Sequence, residues 1–509
     1  MLRNALLAGL AWLGLVACDA STPAASSSRA AGGDADVRDV GLQEPGGEDA
    51  GTLDASVDGV AMLSDAGGDG EDAGADEHVA TAADFLGDWA GIISVPGGRE
   101  FRIILRIAED GDGGFIVTLD SPDQGAYGIP GRDANIDGSR LQVGFPLLGA
   151  GISVAREGDK LVGLFSQGAT LPVQLMPTVI PPFARPQEAA LVRDYEIREV
   201  TFDGGAEGVT LAGELTLPEG NDGFPAVVLV SGADASNRDM ELFDHRPLLV
   251  LADHLTQAGI ATLRYDNRGV GQSTGDNEAA TPEDFATDAA AALRFLRAVS
   301  GVDATRTGIL GHTDGGLAAV LAGEAPAFNV LLAMPTQPAF EVLMRRSRDV
   351  GALQGTPEEV LDQQASLQSQ LFEAVRSAPS REQAQAAVVN LLVNAGLSPQ
   401  RASDEAEGLT RPWLLWILDY DPLPALRAVQ TPVLALYGDK DLIVAADANA
   451  PDMEAALDHS DSSVQVLPKL NHFFQPATTG GPGEYADIET TFDPAPMDII
   501  AEWIADVTM

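Results

Sequence analysis

The sequence predicts an α/β chain: a parallel sheet flanked by helices over residues 195–509, preceded by a small antiparallel β domain over 81–176. Three observations point there. Beyond residue 195, short apolar runs alternate with segments of helical periodicity, the pattern of strands buried on both faces between helices. Between 84 and 176 the apolar runs are short, closely spaced and separated by turn residues. Before residue 81 nothing reads as a core. The chain has 509 residues, enough for more than one domain, and 45% of them are hydrophobic, enough to bury a core.

Residues 1–18 open with Arg3 and continue in an apolar run from Ala5 to Ala17 that ends on Cys18. The run is shorter than the ~20 residues a membrane-crossing helix needs, so a secretion signal accounts for it better. Its last four residues, Leu15-Val16-Ala17-Cys18, resemble a bacterial lipobox, whose cysteine becomes the lipidated first residue of the mature protein. That resemblance implies lipidation at Cys18 and a place in the cell envelope, anchored to a membrane on its periplasmic or cell-surface side. The alternative is an ordinary signal whose cysteine is incidental. Residues 19–80 hold 15 Asp and Glu against Arg29 and Arg38, with no aromatic residue and no isoleucine. So little apolar surface does not offset chain entropy, and a disordered acidic tether is expected. The cluster from Asp65 to Asp69 lacks the spacing and closing Glu of a calcium loop.

Composition narrows the chemistry. Lys and Arg number 30 against 76 Asp and Glu, a formal net charge of −46, which repels a polymer of phosphates and argues against nucleic acid as a partner. Cys18 is the one cysteine and lies in the leader, so disulfides, thiolate metal sites and a cysteine nucleophile are excluded. Six histidines without a His-x-x-x-His pair leave no histidine-rich metal site.

The first ordered domain is expected to begin near Asp84–Trp89. Strand-like runs occur at 101–107 and 115–119, split by the turn sequence Glu109 to Gly114, and again at 141–145, 152–155, 161–165 and 172–175. Such spacing predicts an antiparallel sheet or small barrel with no acid–base cluster. A proline-rich linker, 177–194, separates it from the second domain.

In the second domain, buried-strand runs fall at 226–231, 260–265, 307–311, 328–333 and 432–437, with two β-rich segments at 196–203 and 209–217 ahead of them as an antiparallel edge. Phe285, Ala289, Leu293 and Leu296 share one helical face. Residues 337–425 interrupt the strands. Thr356-Pro-Glu-Glu359 and Ser380-Arg-Glu-Gln383 have the form of capping boxes, and Ser398-Pro399 that of a cap with proline at the first helical position. Three helices are expected there, forming a lid, the alternative being a plain interaction surface.

Three features in chain order carry chemistry. Gly311-His312-Thr313-Asp314-Gly315, between a strand and a helix of small residues, has the spacing of a nucleophile elbow, where flanking glycines let a strained turn expose a hydroxyl. Asp441, in Gly438-Asp439-Lys440-Asp441 just past a strand, places an acid above the sheet. His472 comes after the short strand 464–467. Nucleophile, acid and histidine in that order are the α/β-hydrolase arrangement, although each piece alone has a bland explanation. Gly269-Val-Gly271 lacks the third glycine of a nucleotide loop, so a tight turn explains it.

Residues 84–505 resemble the bacterial α/β-hydrolase esterases that carry a β-sheet domain ahead of the hydrolase domain. The matching stretches are Asp120–Ala126, Gly128–Pro130, Tyr265–Ser273, Ala435–Asp441 and Leu470–Gln475. The resemblance implies an α/β-hydrolase fold with a helical lid. It also implies hydrolysis of small-molecule carboxylic esters through an acyl-enzyme, with no metal or cofactor. Two departures stand out. Thr313 occupies the place of the family's serine, and a β-branched residue at positive φ costs on the order of 1–3 kcal/mol. After the strand ending at Ser231, the family's glycine-rich oxyanion run is replaced by Gly232-Ala233-Asp234-Ala235, whose carboxylate has the wrong sign for a developing oxyanion. Arg238 is near enough in sequence to neutralise it, and Ala233 and Asp314 are the expected backbone donors. Two readings remain open. In one, Thr313 attacks, His472 is general base then acid, and Asp441 holds the imidazolium. In the other, the chain is a pseudohydrolase, a membrane-tethered binding or scaffolding protein.

Overall fold

The structure is a computed structural model. It describes residues 81–509 apart from 96–98, 112–113, 168, 182, 192, 221–222 and 233–235. Cys18 and the acidic stretch 19–80 lie outside the described residues.

Nine antiparallel strands come first: β1 (Gly87–Val95), β2 (Arg99–Glu109), β3 (Phe115–Ser121), β4 (Ala126–Pro130), β5 (Arg132–Asp137), β6 (Arg140–Phe145), β7 (Ala150–Glu157), β8 (Lys160–Gln167) and β9 (Ala169–Thr178). They form one sheet in the order β4-β3-β2-β1-β9-β8-β7-β6-β5. Its end strands are consecutive in sequence, with Gly131 between them, and the Gly131 N–H donates to the Val117 carbonyl of β3 at 2.7 Å. One bent strand therefore runs from β3 to β6 and rolls the sheet into a small barrel. A Cβ on Gly131 would lie 2.6 Å from Val143 Cγ2 and 2.9 Å from the Val117 oxygen, so glycine is required at that corner. Trp89, Leu105, Leu119, Leu141, Val154 and Leu161 fill the interior. β1, β4 and β5 are not among the runs legible in the sequence. Glycines 87, 91, 128 and 131 and Pro130 weaken their patterns, and cross-strand pairing imposes the extended state.

A one-turn helix, α1 (Pro186–Ala189), ends the connection to the second domain. Just before it, Arg185 is buried and donates to the carbonyls of Phe243 (2.6 Å), Ala486 (2.9 Å) and Ile488 (3.0 Å). Tyr127 of the barrel packs edge-on against Phe183 and Phe243. The barrel and linker are thereby pinned to the second domain.

That domain is an eight-stranded sheet of β10 (Glu196–Asp203), β11 (Thr210–Leu217), β12 (Phe224–Val230), β13 (Ala261–Tyr265), β14 (Val302–His312), β15 (Asn329–Leu332), β16 (Val433–Gly438) and β17 (Ser463–Leu467). The order is β10-β11-β13-β12-β14-β15-β16-β17, antiparallel through β13 and parallel thereafter. β13, β15 and β16 are buried along their whole length, which is why they read as unbroken apolar runs. Helices α2 (Pro247–Gln257), α3 (Pro282–Arg297) and α4 (Asp314–Leu321) cover the first part of the sheet. Phe285, Ala289, Leu293 and Leu296 all face the core from α3, whose start is fixed by a reciprocal capping box between Thr281 and Asp284.

Between β15 and β16 the insert holds six helices where the sequence predicts three: α5 (Ala339–Leu353), α6 (Glu358–Ser377), α7 (Arg381–Ala395), α8 (Pro399–Leu409), α9 (Pro412–Ile417) and α10 (Leu423–Ala428). The Thr356 box is not made, because α6 starts one residue later with Pro357 as an uncapped N-cap. Ser380 and Ser398 do cap, accepting from Gln383 N and Arg401 N. α9, Pro-Trp-Leu-Leu-Trp-Ile, is apolar throughout and carries no periodicity to read. Helices α11 (Ala446–Ala456) and α12 (Pro494–Val507) complete the domain.

Candidate active site

β14 delivers Gly311 and His312 to the carboxyl edge of the sheet, and the chain reverses at Thr313 into α4. The reversal has no room for side chains beside it. A Cβ on Gly311 would run into the Gly315 carbonyl, and one on Gly315 into the carbonyls of Val230 and Ser231. The two glycines are therefore a steric requirement of the turn. Thr313 itself has φ 54° and ψ −110°, and its N–H donates to the Leu332 carbonyl of β15 at 2.8 Å. The neighbouring strand holds a β-branched residue in a region that such residues avoid.

Asp441 lies just past β16 and its side chain is fully enclosed. Oδ1 accepts from the N–H groups of Ile443 (2.7 Å) and Val444 (2.8 Å), leaving Oδ2 for the histidine. His472 sits in a turn beyond β17 organised by Asn471, whose Oδ1 accepts from Phe473 N and Gln475 N and whose Nδ2 donates to Gln475 Oε1. Gly438 lets the end of β16 approach this turn, since a Cβ there would strike the Leu470 carbonyl. His472 Nδ1 lies 2.8 Å from Asp441 Oδ2, and its Nε2 lies 3.0 Å from Thr313 Oγ1. The carboxylate fixes the hydrogen on Nδ1 and so leaves Nε2 as an acceptor facing the hydroxyl. Thr313, Asp441 and His472, 128 and 31 residues apart in sequence, are brought into one hydrogen-bonded line.

The expected oxyanion donors are less complete. Ala233 and Asp234 lie outside the described residues. Asp314 is the first residue of α4, directly after the elbow. Arg238 is held by two other carboxylates: Asp266 takes its Nε and Nη2 in a bidentate pair (3.1 and 2.9 Å), and Glu199 takes Nη1 at 2.7 Å. A planar guanidinium matched to a buried carboxylate is held there by paired, charge-assisted bonds. The Asp266 segment also braces the loop, with Asn267 Nδ2 donating to the Gly232 carbonyl at 2.7 Å. Gly269 and Gly271 adopt positive φ, and a Cβ on Gly271 would meet the Asp266 carboxylate at 2.6 Å, as a tight turn demands.

The elbow also brings in a residue to which the sequence assigns no role. His312 is buried, its Nε2 lies 2.9 Å from the His472 carbonyl and its Nδ1 lies 3.1 Å from Thr313 Oγ1. Burial, with the nearby His472 ring adding to it, pushes its pKa down to about 3. Sequence spacing places residue 312 in the elbow just past the strand but gives no contact to a histidine 160 residues away. Among the described residues no group of three or more His, Cys, Asp or Glu is placed to hold a metal ion.

A sequence profile of the Alpha/beta hydrolase family matches residues 227–487. Esterase EstD of Thermotoga maritima is 27% identical over 194 residues, which is 38% of this chain and 42% of that protein. The chain thus aligns with less than half the length of this curated relative. Among solved structures, an esterase of Pyrococcus furiosus aligns over 65% of this chain and 97% of its own, with 15% identity and a TM-score of 0.39. Est1E of Butyrivibrio proteoclasticus, solved with ferulic acid, aligns over 60% and 96%, with 15% identity and a TM-score of 0.35.

Proposed function

The chain belongs to the alpha/beta hydrolase family, and from that premise we propose that it hydrolyses small-molecule carboxylic esters through an acyl-enzyme carried on Thr313. The observation behind this is the continuous line Thr313 Oγ1–His472–Asp441 at the carboxyl ends of β14, β16 and β17. As His472 Nε2 takes the hydroxyl proton, Oγ1 attacks the ester carbon, and the carbonyl becomes an oxyanion. Backbone N–H groups of Asp314 and Ala233 are the proposed donors to it. Collapse expels the alcohol, protonated by His472. Water then repeats the cycle, with His472 again as base, and releases the acid. Asp441 holds the imidazolium that forms twice per turnover.

Hydrolysis of p-nitrophenyl acetate, butyrate and octanoate by the full chain, beside Thr313→Ala and His472→Ala, tests this. Turnover that falls to background in both variants supports a threonine nucleophile. A parent no faster than Thr313→Ala favours the second reading, a membrane-tethered binding or scaffolding protein on a hydrolase fold. The strained φ of a β-branched residue at the elbow is the observation that keeps that reading open. Anchoring through lipid on Cys18 is a separate proposal, tested by whether Cys18→Ala moves the protein out of the membrane fraction.

A further inference from the structure

His312 presents a problem in counting hydrogens. Its Nε2 faces the His472 carbonyl at 2.9 Å, and a carbonyl only accepts, so that nitrogen carries the hydrogen. The ring is buried beside His472 and stacked on Phe473, with centroids 4.6 and 5.6 Å away. Burial keeps it neutral, so Nδ1 is bare, and it points at Thr313 Oγ1 from 3.1 Å. On the other side of the same oxygen, His472 Nε2 is bare whenever that ring is neutral, because Asp441 fixes its hydrogen on Nδ1. The Thr313 hydroxyl thus has two acceptors and one hydrogen.

We propose that His312 is a positioning residue for the Thr313 hydroxyl, and that by accepting its hydrogen it sets the pH at which His472 becomes available as a base. The inference rests on Thr313 and His472 having the roles proposed above. While His472 is neutral, the single hydroxyl hydrogen serves only one of the two acceptors. When His472 is protonated, Nε2–H donates to Oγ1 and Oγ1–H donates to His312 Nδ1, so every group is paired. His312 therefore favours the protonated, unreactive form of His472, and holds the hydroxyl in one orientation between the rings. Among the described residues, the titratable groups against the His472 ring are Asp441 from the loop after β16 and His312 from the elbow. Within its own segment, Phe473 packs edge-on against the ring and Tyr485 against Phe473, and the Tyr485 hydroxyl donates to the Gly480 carbonyl.

His312→Gln keeps an amide N–H for the His472 carbonyl while removing the Nδ1 acceptor; His312→Asn places an amide oxygen near the lost nitrogen. In the full-length protein, His312→Gln is expected to move the acid limb of kcat/KM to lower pH by about one unit, the worth of one charge-coupled hydrogen bond. His312→Asn is expected to restore it towards the parent. A merely structural role would lower kcat at every pH and leave the limb in place. The same shift is expected in an NMR titration of the His472 ring, which needs no turnover. Thr313→Ala, which removes the relay itself, should shift that titration in the same direction even if His312→Gln folds poorly. Coincident titrations in parent and variants overturn the inference. A shifted titration in a parent that cleaves no ester supports the pairing and sinks the esterase reading instead.

Discussion

Thr313 combines a hydroxyl in line with a base and a methyl that its backbone does not welcome. The elbow conformation suits a small side chain, and the added carbon crowds the space that the carbonyl of the proposed ester substrate would enter. Thr313→Ser is therefore expected to raise kcat/KM at least about tenfold on short-chain p-nitrophenyl esters and to gain about 1 kcal/mol in urea unfolding. A slower serine variant would show that the methyl is not the obstruction. Two buried histidines make a second expectation. Burial, then the charge of Arg185, pushes His245 down to about 4, and burial pushes His312 to about 3. Both lie below the ~6.5 of an unfolded chain, so the unfolded state binds more protons as pH falls and stability drops with it. The loss should begin near pH 6.5 and continue to about pH 4 for His245 and about pH 3 for His312. His245→Gln, retaining an amide near Thr491 and the Tyr485 carbonyl, should flatten the His245 part of the curve measured by urea unfolding at each pH. The flanking glycines of the elbow were legible as spacing. The role of His312 was not, because it depends on a carbonyl contributed by a turn far along the chain.

Elements were legible where local chemistry and tertiary contacts agree. α3 was legible from its single apolar face, which is realised, and the structure adds a capping Thr281 and Pro282 at its first position. Thr281→Ala should cost about 1 kcal/mol in unfolding free energy by removing the cap, with little change in kcat. A loss much below that would mean that packing of α3 alone sets its start. The insert between β15 and β16 shows the opposite case. Thr356 has capping-box spacing and does not cap, while α9 and α10 form with no side-chain cap. Short apolar helices are fixed by what they pack against, which local sequence does not encode. The insert also meets the barrel: Arg401 of α8 donates to the Leu148 carbonyl at 2.6 Å, in the turn between β6 and β7. In the barrel itself, alternation identified the strands with a clean inward face and missed those interrupted by glycine and proline.

At the scale of the whole molecule, the acidic balance acts on whatever approaches the site. A formal charge of −46 generates a field that disfavours anions and is screened by salt. Neutral and cationic esters should outcompete anionic ones at low ionic strength, with the gap narrowing as salt is added; equal rates at low salt would remove long-range charge from the account. The sequence by itself determined the α/β class, the β domain ahead of it, and the order of Thr313, Asp441 and His472. These come from periodicity, turn chemistry and spacing, all of which act over a few residues. Only the tertiary structure decided that Gly131 closes a barrel, that Arg238 is committed to Asp266 and Glu199, and that His312 shares the Thr313 hydroxyl with His472. Each of those depends on two segments far apart in the chain meeting within hydrogen-bond or van der Waals distance. Packing sets such distances, and no local pattern in the sequence records them.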